Sequence, residues 1–174
     1  GDHGDGFGED GVFGHQLSLH DSLLRVPLLV RDPTGRLDAG TVTSPASLVD
    51  IYPTLLNTVG IDAPETKAVD LATERREYAY TYYDASDRDW YTDPPVGVDR
   101  DQLPPARQHA IWQSESDKVI FYPDRDKHVI TGSSGADLLD RLRTHTADLD
   151  RIDTTIEAVD DDVSERLKDM GYLE

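Results

Sequence analysis

Five glycines separate Asp2-His3 from His15 in the opening stretch GDHGDGFGEDGVFGH, and this stretch restricts the fold more than any other part of the chain. Glycine loses more backbone freedom on folding than any other residue, so a stretch this rich in it is costly to order. We therefore predict a loop over residues 1–15 that other groups must hold in place. Asp2 and His3 carry side chains that bind metal ions, so this loop is the candidate functional segment.

Two known calcium-binding loops do not match this stretch. An EF-hand needs oxygen ligands at its third and fifth positions, but counting from Asp2 these positions are Gly4 and Gly6. The calcium-binding nonapeptide repeat needs several copies, and only one imperfect stretch is present. What remains is an Asp-His pair at the end of a strand, followed by a glycine loop that lets backbone and ligand approach closely.

The apolar pattern of the first half predicts helices around one buried strand. We expect a helical turn at 17–24, a buried strand at 26–31 and a helix over about 48–59, with Pro53 in its first turn and Gly60 at its end. The strand is apolar on successive residues, as in a parallel sheet covered on both faces. Arg25 is expected to pair with Asp21, four residues earlier.

The second half has a different pattern. Alternation predicts a strand at 76–84 and an antiparallel meander near 109–113, 118–122 and 127–131, after a long loop at 85–108. Residues 136–149 and 162–170 have the pattern of amphipathic helices. The fold class is therefore α/β: the end of a larger mixed sheet with flanking helices, followed by a small antiparallel sheet and C-terminal helices.

Composition excludes several classes of partner. The net charge is −18, with 35 acidic and 17 basic residues, so nucleic acid and anionic membranes are disfavoured. The dispersed carboxylates are typical of a halophile, although an ordinary acidic protein is the alternative.

There is no cysteine, so disulfides and thiolate chemistry are absent from this chain. No apolar run approaches the roughly 20 residues of a membrane span, and location stays open, with the cytoplasm of a halophile slightly favoured.

The motifs resemble the sulfatases of the alkaline-phosphatase superfamily, with a haloarchaeal type of acidic composition. The matching segments are Asp2-His3-Gly4, Gly8-Glu9, Gly14-His15, Ser18-Leu19-His20-Asp21, Leu24-Arg25-Val26-Pro27-Leu28, Val49-Asp50-Ile51-Tyr52-Pro53-Thr54-Leu55-Leu56, Gly60-Ile61 and the terminal Glu165–Leu173. The resemblance implies the C-terminal portion of an alkaline-phosphatase-like sulfatase fold. Residues 1–66 would complete the catalytic domain, and 67–174 would form a C-terminal subdomain.

The same resemblance implies the roles of the site residues. Asp2 and His3 would lie beside a divalent metal, calcium in most of the family, although His3 could instead contact the sulfate or a neighbouring carboxylate. His15 would contact the sulfate or protonate the leaving oxygen. On composition alone Asp5 is either a metal ligand or a solvated loop acid, and the second interpretation is favoured. His20 is interpreted as structural. Trp90 and Tyr91 either line a substrate pocket or pin the long loop by burying apolar area.

The expected activity is hydrolysis of a sulfate ester, on a small molecule or a glycan. The formylglycine nucleophile of the family is expected in a part that precedes Gly1, so the isolated chain is expected to be inactive. One alternative is a phosphodiesterase or phosphonate monoester hydrolase of the same superfamily. Another is a truncated, non-catalytic remnant. The oligomeric state is not indicated.

Overall fold

The computed structural model describes residues 1–15, 17–88, 91, 93 and 103–147. Within them the chain is mixed α/β, with two antiparallel sheets and a few helices. The predicted helix at 162–170 and residues 148–149 of the preceding helix lie outside the described residues.

A two-stranded hairpin and a short helix form the N-terminal part. The hairpin consists of β1 (Gly6–Phe7) and β2 (Phe13–Gly14), and the helix α1 spans Asp21–Leu24. The helical turn predicted at 17–24 is thus confirmed only for its second half. Leu17 has a positive φ of 67° and the Ser18 hydroxyl accepts a hydrogen bond from the His20 N–H, so the chain turns before the helix begins.

The second half forms the predicted antiparallel meander. Its strands β3 (Ala79–Asp84), β4 (Arg107–Trp112), β5 (Lys118–Tyr122) and β6 (Lys127–Thr131) pair in chain order. Helix α3 (Gly135–Ala147) packs across this sheet. The prediction of these strands and of the helix at 136–149 is confirmed within the described residues, with ends that differ by at most three residues.

One apolar core lies between α3 and the sheet. Its buried members are Ile111, Val119, Leu138, Leu139 and Leu142, with Tyr78, Tyr80 and Phe121 packed against them. Gly135 lets the start of α3 approach β6, because a Cβ atom there would lie 2.1 Å from Cγ2 of Ile130. The helix can therefore meet the sheet only with glycine at this position.

The helix predicted over 48–59 is confirmed, but it buries its polar side. A 3-10 turn at Leu48–Asp50 leads into α2 (Ile51–Thr58), and Gly60 ends it with φ 76°. Asp50 and Thr54 are buried, as is Pro53, and Ile51 and Leu56 are partly buried. The other apolar residues are exposed: Leu48, Val49, Tyr52, Leu55 and Val59.

A buried carboxylate holds α2 against the segment that follows it. Asp50 accepts hydrogen bonds from Nε and Nη2 of Arg76, at 2.6 and 2.5 Å, and from the N–H groups of Ser47 and Val69. Asp70 forms a second centre, accepting from Arg36 at 2.8 Å and Asn57 at 3.0 Å. Polar pairing thus takes the place of an apolar core in this half of the molecule.

The predicted buried strand at 26–31 is wrong for the structure described. These residues belong to no strand, and Leu28, Leu29 and Val30 are exposed, Leu29 by 89%. A strand apolar on both faces needs a neighbouring strand and a cover on each side. Among the described residues nothing supplies either, so the segment remains irregular.

No helix in the described part is long and apolar enough to cross a membrane.

Replacing Asp50 by asparagine is expected to destabilise the chain by about 3–5 kcal/mol, because it leaves the Arg76 guanidinium buried without its carboxylate. Leu55→Ala on the same helix is the matched control. It should cost no more than about 0.5 kcal/mol, since Leu55 is exposed. Urea unfolding at high KCl measures both; equal losses would contradict the assignment of the buried face.

The contribution of Asp50 to the free energy of unfolding should also depend on pH. Burial acts to raise the pKa of Asp50, but hydrogen bonds from Arg76, Val69 and Ser47 outweigh it and hold the pKa below its usual 3.8. Because the folded-state pKa is depressed, the stabilisation is complete well above pH 3.8 and is lost as the pH falls through the folded-state value. The difference in unfolding free energy between wild type and Asp50→Asn should therefore shrink below about pH 3.8. A difference that grows on acidification would refute this sign.

Candidate functional site

The opening loop, residues 1–15, is docked on α1 through Gly4. The Gly4 N–H donates to the carbonyl of Leu23 at 2.8 Å. A Cβ atom on Gly4 would lie 2.0 Å from the carbonyl oxygen of Ser22, so any other residue at this position would force the two backbones apart. Asp2 and His3 therefore immediately precede a residue whose backbone is held against α1.

A glycine hairpin forms the rest of the loop. Gly6 pairs with Gly14 and Phe7 with Phe13, and a 3-10 turn at Glu9–Gly11 joins the strands. The Glu9 carboxylate accepts a hydrogen bond from the Phe7 N–H at 2.7 Å, which lowers the pKa of Glu9. The loop therefore has an ordered turn, even though its composition is that of a flexible one.

The hairpin brings His15 back to the start of the loop. The His15 and His3 rings lie 4.8 Å apart between centroids, tilted by 35°. The Asp5 carboxylate is 2.9 Å from Nδ1 of His15. Both members of this pair are half-exposed. Asp5 is an exposed loop acid, as interpreted from the sequence, and in addition it contacts His15, because the two residues flank the paired Gly6 and Gly14 of the hairpin.

Asp2 is the most exposed acid of the site, with its side chain 89% accessible and a carboxylate oxygen 3.9 Å from Nε2 of His3. Its own backbone N–H, then the N–H and the ring of His3, hold the pKa of Asp2 below its usual value. Asp2 therefore presents an ionised oxygen ligand to solvent at neutral pH.

These residues supply part of a metal site. Calcium takes six to eight oxygen ligands, and Asp2 offers a suitable carboxylate with His3 beside it. In the described ranges no group of three or more His, Cys, Asp or Glu side chains converges on one point. The fit is thus partial: Asp2 suits the ion, and further ligands would have to come from elsewhere.

His20 has the structural role interpreted from the sequence. Its Nδ1 accepts from the Ser22 N–H at the start of α1, and its Nε2 lies 3.1 Å from the Asp10 carboxylate. His20 thereby caps the helix on which Gly4 docks and ties the 3-10 turn to it.

Two ion pairs connect α1 to the meander. Lys118 lies 2.6 Å from Asp21, and Arg25 lies 2.9 Å from Glu115. The predicted Arg25–Asp21 pair is wrong. Since α1 ends at Leu24, the Arg25 side chain leaves the helix and reaches the β4–β5 turn, and the Asp21 carboxylate is taken by Lys118. These contacts fix the opening loop relative to the sheet.

Three further histidines lie away from the opening loop. His109 is in β4, His128 in β6 and His145 in α3. Burial lowers the pKa of His109, which favours its neutral form. The Tyr91 hydroxyl donates to the carbonyl of Pro104, so this hydrogen bond joins two parts of the long loop. Trp90 lies outside the described residues.

Part of the chain is similar to a sulfatase. A protein of Escherichia coli (strain K12) described as "Uncharacterized sulfatase YidJ" is 31% identical over 64 residues, which are 37% of this chain and 12% of that protein. The chain thus matches only a small part of this relative. No protein-family model matches the chain. No solved structure matches it either.

Gly4→Ala should undock the opening loop. Gly11→Ala is the matched control in the same loop, because a Cβ there meets no atom within 4 Å and adds only the strain of a φ of 78°, about 1–2 kcal/mol. We expect a larger loss of stability for Gly4→Ala, and a shift of the His3 and His15 ring resonances in NMR spectra that Gly11→Ala does not produce. Ring resonances unmoved by Gly4→Ala would contradict the docking.

Proposed function

We propose that this chain is the metal-binding and leaving-group part of a sulfatase-like hydrolase of sulfate esters. Residues 1–66 would complete the catalytic α/β domain and residues 67–174 would form a C-terminal subdomain. The substrate is the sulfate ester of a small molecule or a glycan. The similarity of part of the chain to a sulfatase supports this class of reaction.

The observation that supports this proposal most directly is the approach of His15 to His3 at the base of the glycine hairpin, with the Asp5 carboxylate hydrogen-bonded to His15. His3 and His15 are twelve positions apart in the sequence, yet their rings lie 4.8 Å apart. An unused loop would not need a glycine that excludes every other side chain at its base, as Gly4 does. Ordering this loop costs conformational entropy. The cost falls on the segment that brings His3, the candidate metal-binding residue, close to His15, the candidate proton donor.

His15 is suited to meet the leaving oxygen. The Asp5 carboxylate at Nδ1 makes that nitrogen the donor of the Asp5–His15 hydrogen bond and orients the ring. Nε2 is then the atom directed to a substrate, where a protonated imidazole can donate to the oxygen on which charge develops. Asp5 acts through His15 and is a positioning residue.

Asp2 and His3 would hold the divalent cation, for which calcium is the proposed ion. A doubly charged cation at this place would stabilise the negative charge of a sulfuryl group. The nucleophile would come from outside this chain, which contains no Cys/Ser-X-Pro-X-Arg motif of the kind that carries formylglycine in the family. We accordingly propose that the 174 residues alone do not turn over substrate.

The function is tested on the protein expressed from the whole reading frame to which this chain belongs. With calcium at high KCl, His15→Ala should lower kcat on an aryl sulfate by about 10²–10⁴-fold, as expected for loss of a general acid. His128→Ala on the exposed strand β6 is the matched control and should leave kcat unchanged.

Unchanged kcat in His15→Ala would reject the assigned role. Comparison with a phosphodiester and a phosphonate monoester tests the reaction class: higher kcat/KM on either would move the protein to the phosphoryl-transfer branch. Absence of turnover on all three substrates would leave the non-catalytic remnant as the better description.

A further inference from the structure

The opening loop docks on a carbonyl group that a proline leaves free. In a continuing α-helix the carbonyl of Leu23 would accept the N–H of the residue four positions later, but that residue is Pro27, which has no N–H. Helix α1 ends before that position. The carbonyl of Leu23 instead accepts the Gly4 N–H at 2.8 Å. The position of the opening loop, with His3 and His15, therefore follows the position of α1.

Helix α1 is too short to hold its own position. It spans four residues, and an isolated helix of fewer than about 12 residues is marginal in water. The hairpin of β4 and β5 contacts it at both ends. Lys118, at the start of β5, pairs with Asp21, the first residue of the helix. Glu115, in the turn between the two strands, pairs with Arg25, which directly follows the helix.

The two ion pairs differ in their exposure to solvent. The side chains of Lys118 and Asp21 are 16% and 30% accessible, against 50% and 79% for Arg25 and Glu115. Salt screens an exposed pair strongly, since the Debye length falls to about 3 Å at about 1 M, and it screens a partly buried pair much less. At high KCl the Lys118 pair is therefore the stronger contact with α1. Gln108 of β4 holds only the chain ahead of the helix, through the carbonyl of residue 17.

We propose that Lys118 is a positioning residue for the candidate site: it holds α1 against the sheet, and α1 holds the opening loop. The proposal rests on the proposed function and extends it, because residue 118 belongs to the part, 67–174, in which no catalytic or metal-binding side chain is assigned. Lys118 has no assigned contact with substrate or metal. Its effect is on geometry, and a displacement of about 1 Å at a reacting group can lower a rate by about 10²-fold.

The kinetic test uses the protein expressed from the whole reading frame, with calcium at high KCl, and kcat is expressed per folded molecule from urea unfolding. Lys118→Met should lower kcat on an aryl sulfate by about 10–10²-fold. Lys118→Arg should keep most of the activity, because it retains the charge that pairs with Asp21. Lys127→Met makes the same substitution on the exposed strand β6 and should leave kcat unchanged. Arg25→Met should lower kcat less than Lys118→Met does, because its pair is the more exposed one.

A spectroscopic test needs no turnover. Lys118→Met should shift the ring resonances of His3 and His15 in NMR spectra of the folded protein, and Lys127→Met should not. Asp21→Asn removes the same ion pair from the other side with little change of shape, so it should produce the same shifts and serves where Lys118→Met does not fold. A loss of stability in which the ring resonances and the kcat of the folded molecules stay as in wild type would overturn the positioning role.

The outcomes separate this proposal from the proposed function. A lower kcat in His15→Ala together with an unchanged kcat in Lys118→Met would overturn the positioning role alone. Absence of turnover in wild type would overturn the proposed function. The ring resonances then decide whether Lys118 holds the opening loop: a shift in both Lys118→Met and Asp21→Asn supports it, and unshifted resonances overturn it.

Discussion

The ion pair between Asp50 and Arg76 is the interaction on which the N-terminal half depends. The Asp50 side chain is fully buried, and besides the guanidinium it accepts N–H groups from both sides of α2, at Ser47 and Val69. A buried carboxylate is costly unless each of its lone pairs is satisfied, so these partners must assemble together with the helix. The pair thereby sets the path of the chain after α2 up to the first strand of the meander.

This polar centre explains why α2 lies with its apolar side outward. The spacing of Leu48, Tyr52, Leu55 and Val59 correctly predicts a helix, because periodicity sorts residues onto two faces. It does not say which face is buried. Here the buried face is the one that carries Asp50 and Thr54, since these residues have specific partners in the following segment.

The prediction of a strand at 26–31 was wrong for a related reason. A continuous apolar sequence indicates burial, and burial depends on neighbouring elements that the segment itself cannot supply.

The sequence predicted more of the candidate site than of the packing of α2 and of the segment 26–31. Asp2, His3 and His15 were expected from the motif, and the hairpin brings the two histidines together. The contact between Asp5 and His15 was not predicted, although a signal was present: glycines on both sides of a short turn allow a hairpin in which the residues just outside them face each other. The Arg25 partner was missed because an i, i+4 pair presumes that the helix continues, and α1 ends one residue before Arg25.

The negative charge of the opening loop is a physical reason for proposing a cation there. A sulfate ester is an anion, and the loop that would receive it carries four acidic residues: Asp2, Asp5, Glu9 and Asp10. Two like charges 4 Å apart repel by about 1 kcal/mol in water and by about 4 kcal/mol at a protein surface of low polarity. High salt weakens this repulsion without reversing it. Under the proposed function, attraction of the ester would need a bound positive charge close to Asp2. The Asp5–His15 hydrogen bond would meet a different need, because it would orient the ring that is proposed to face the leaving oxygen.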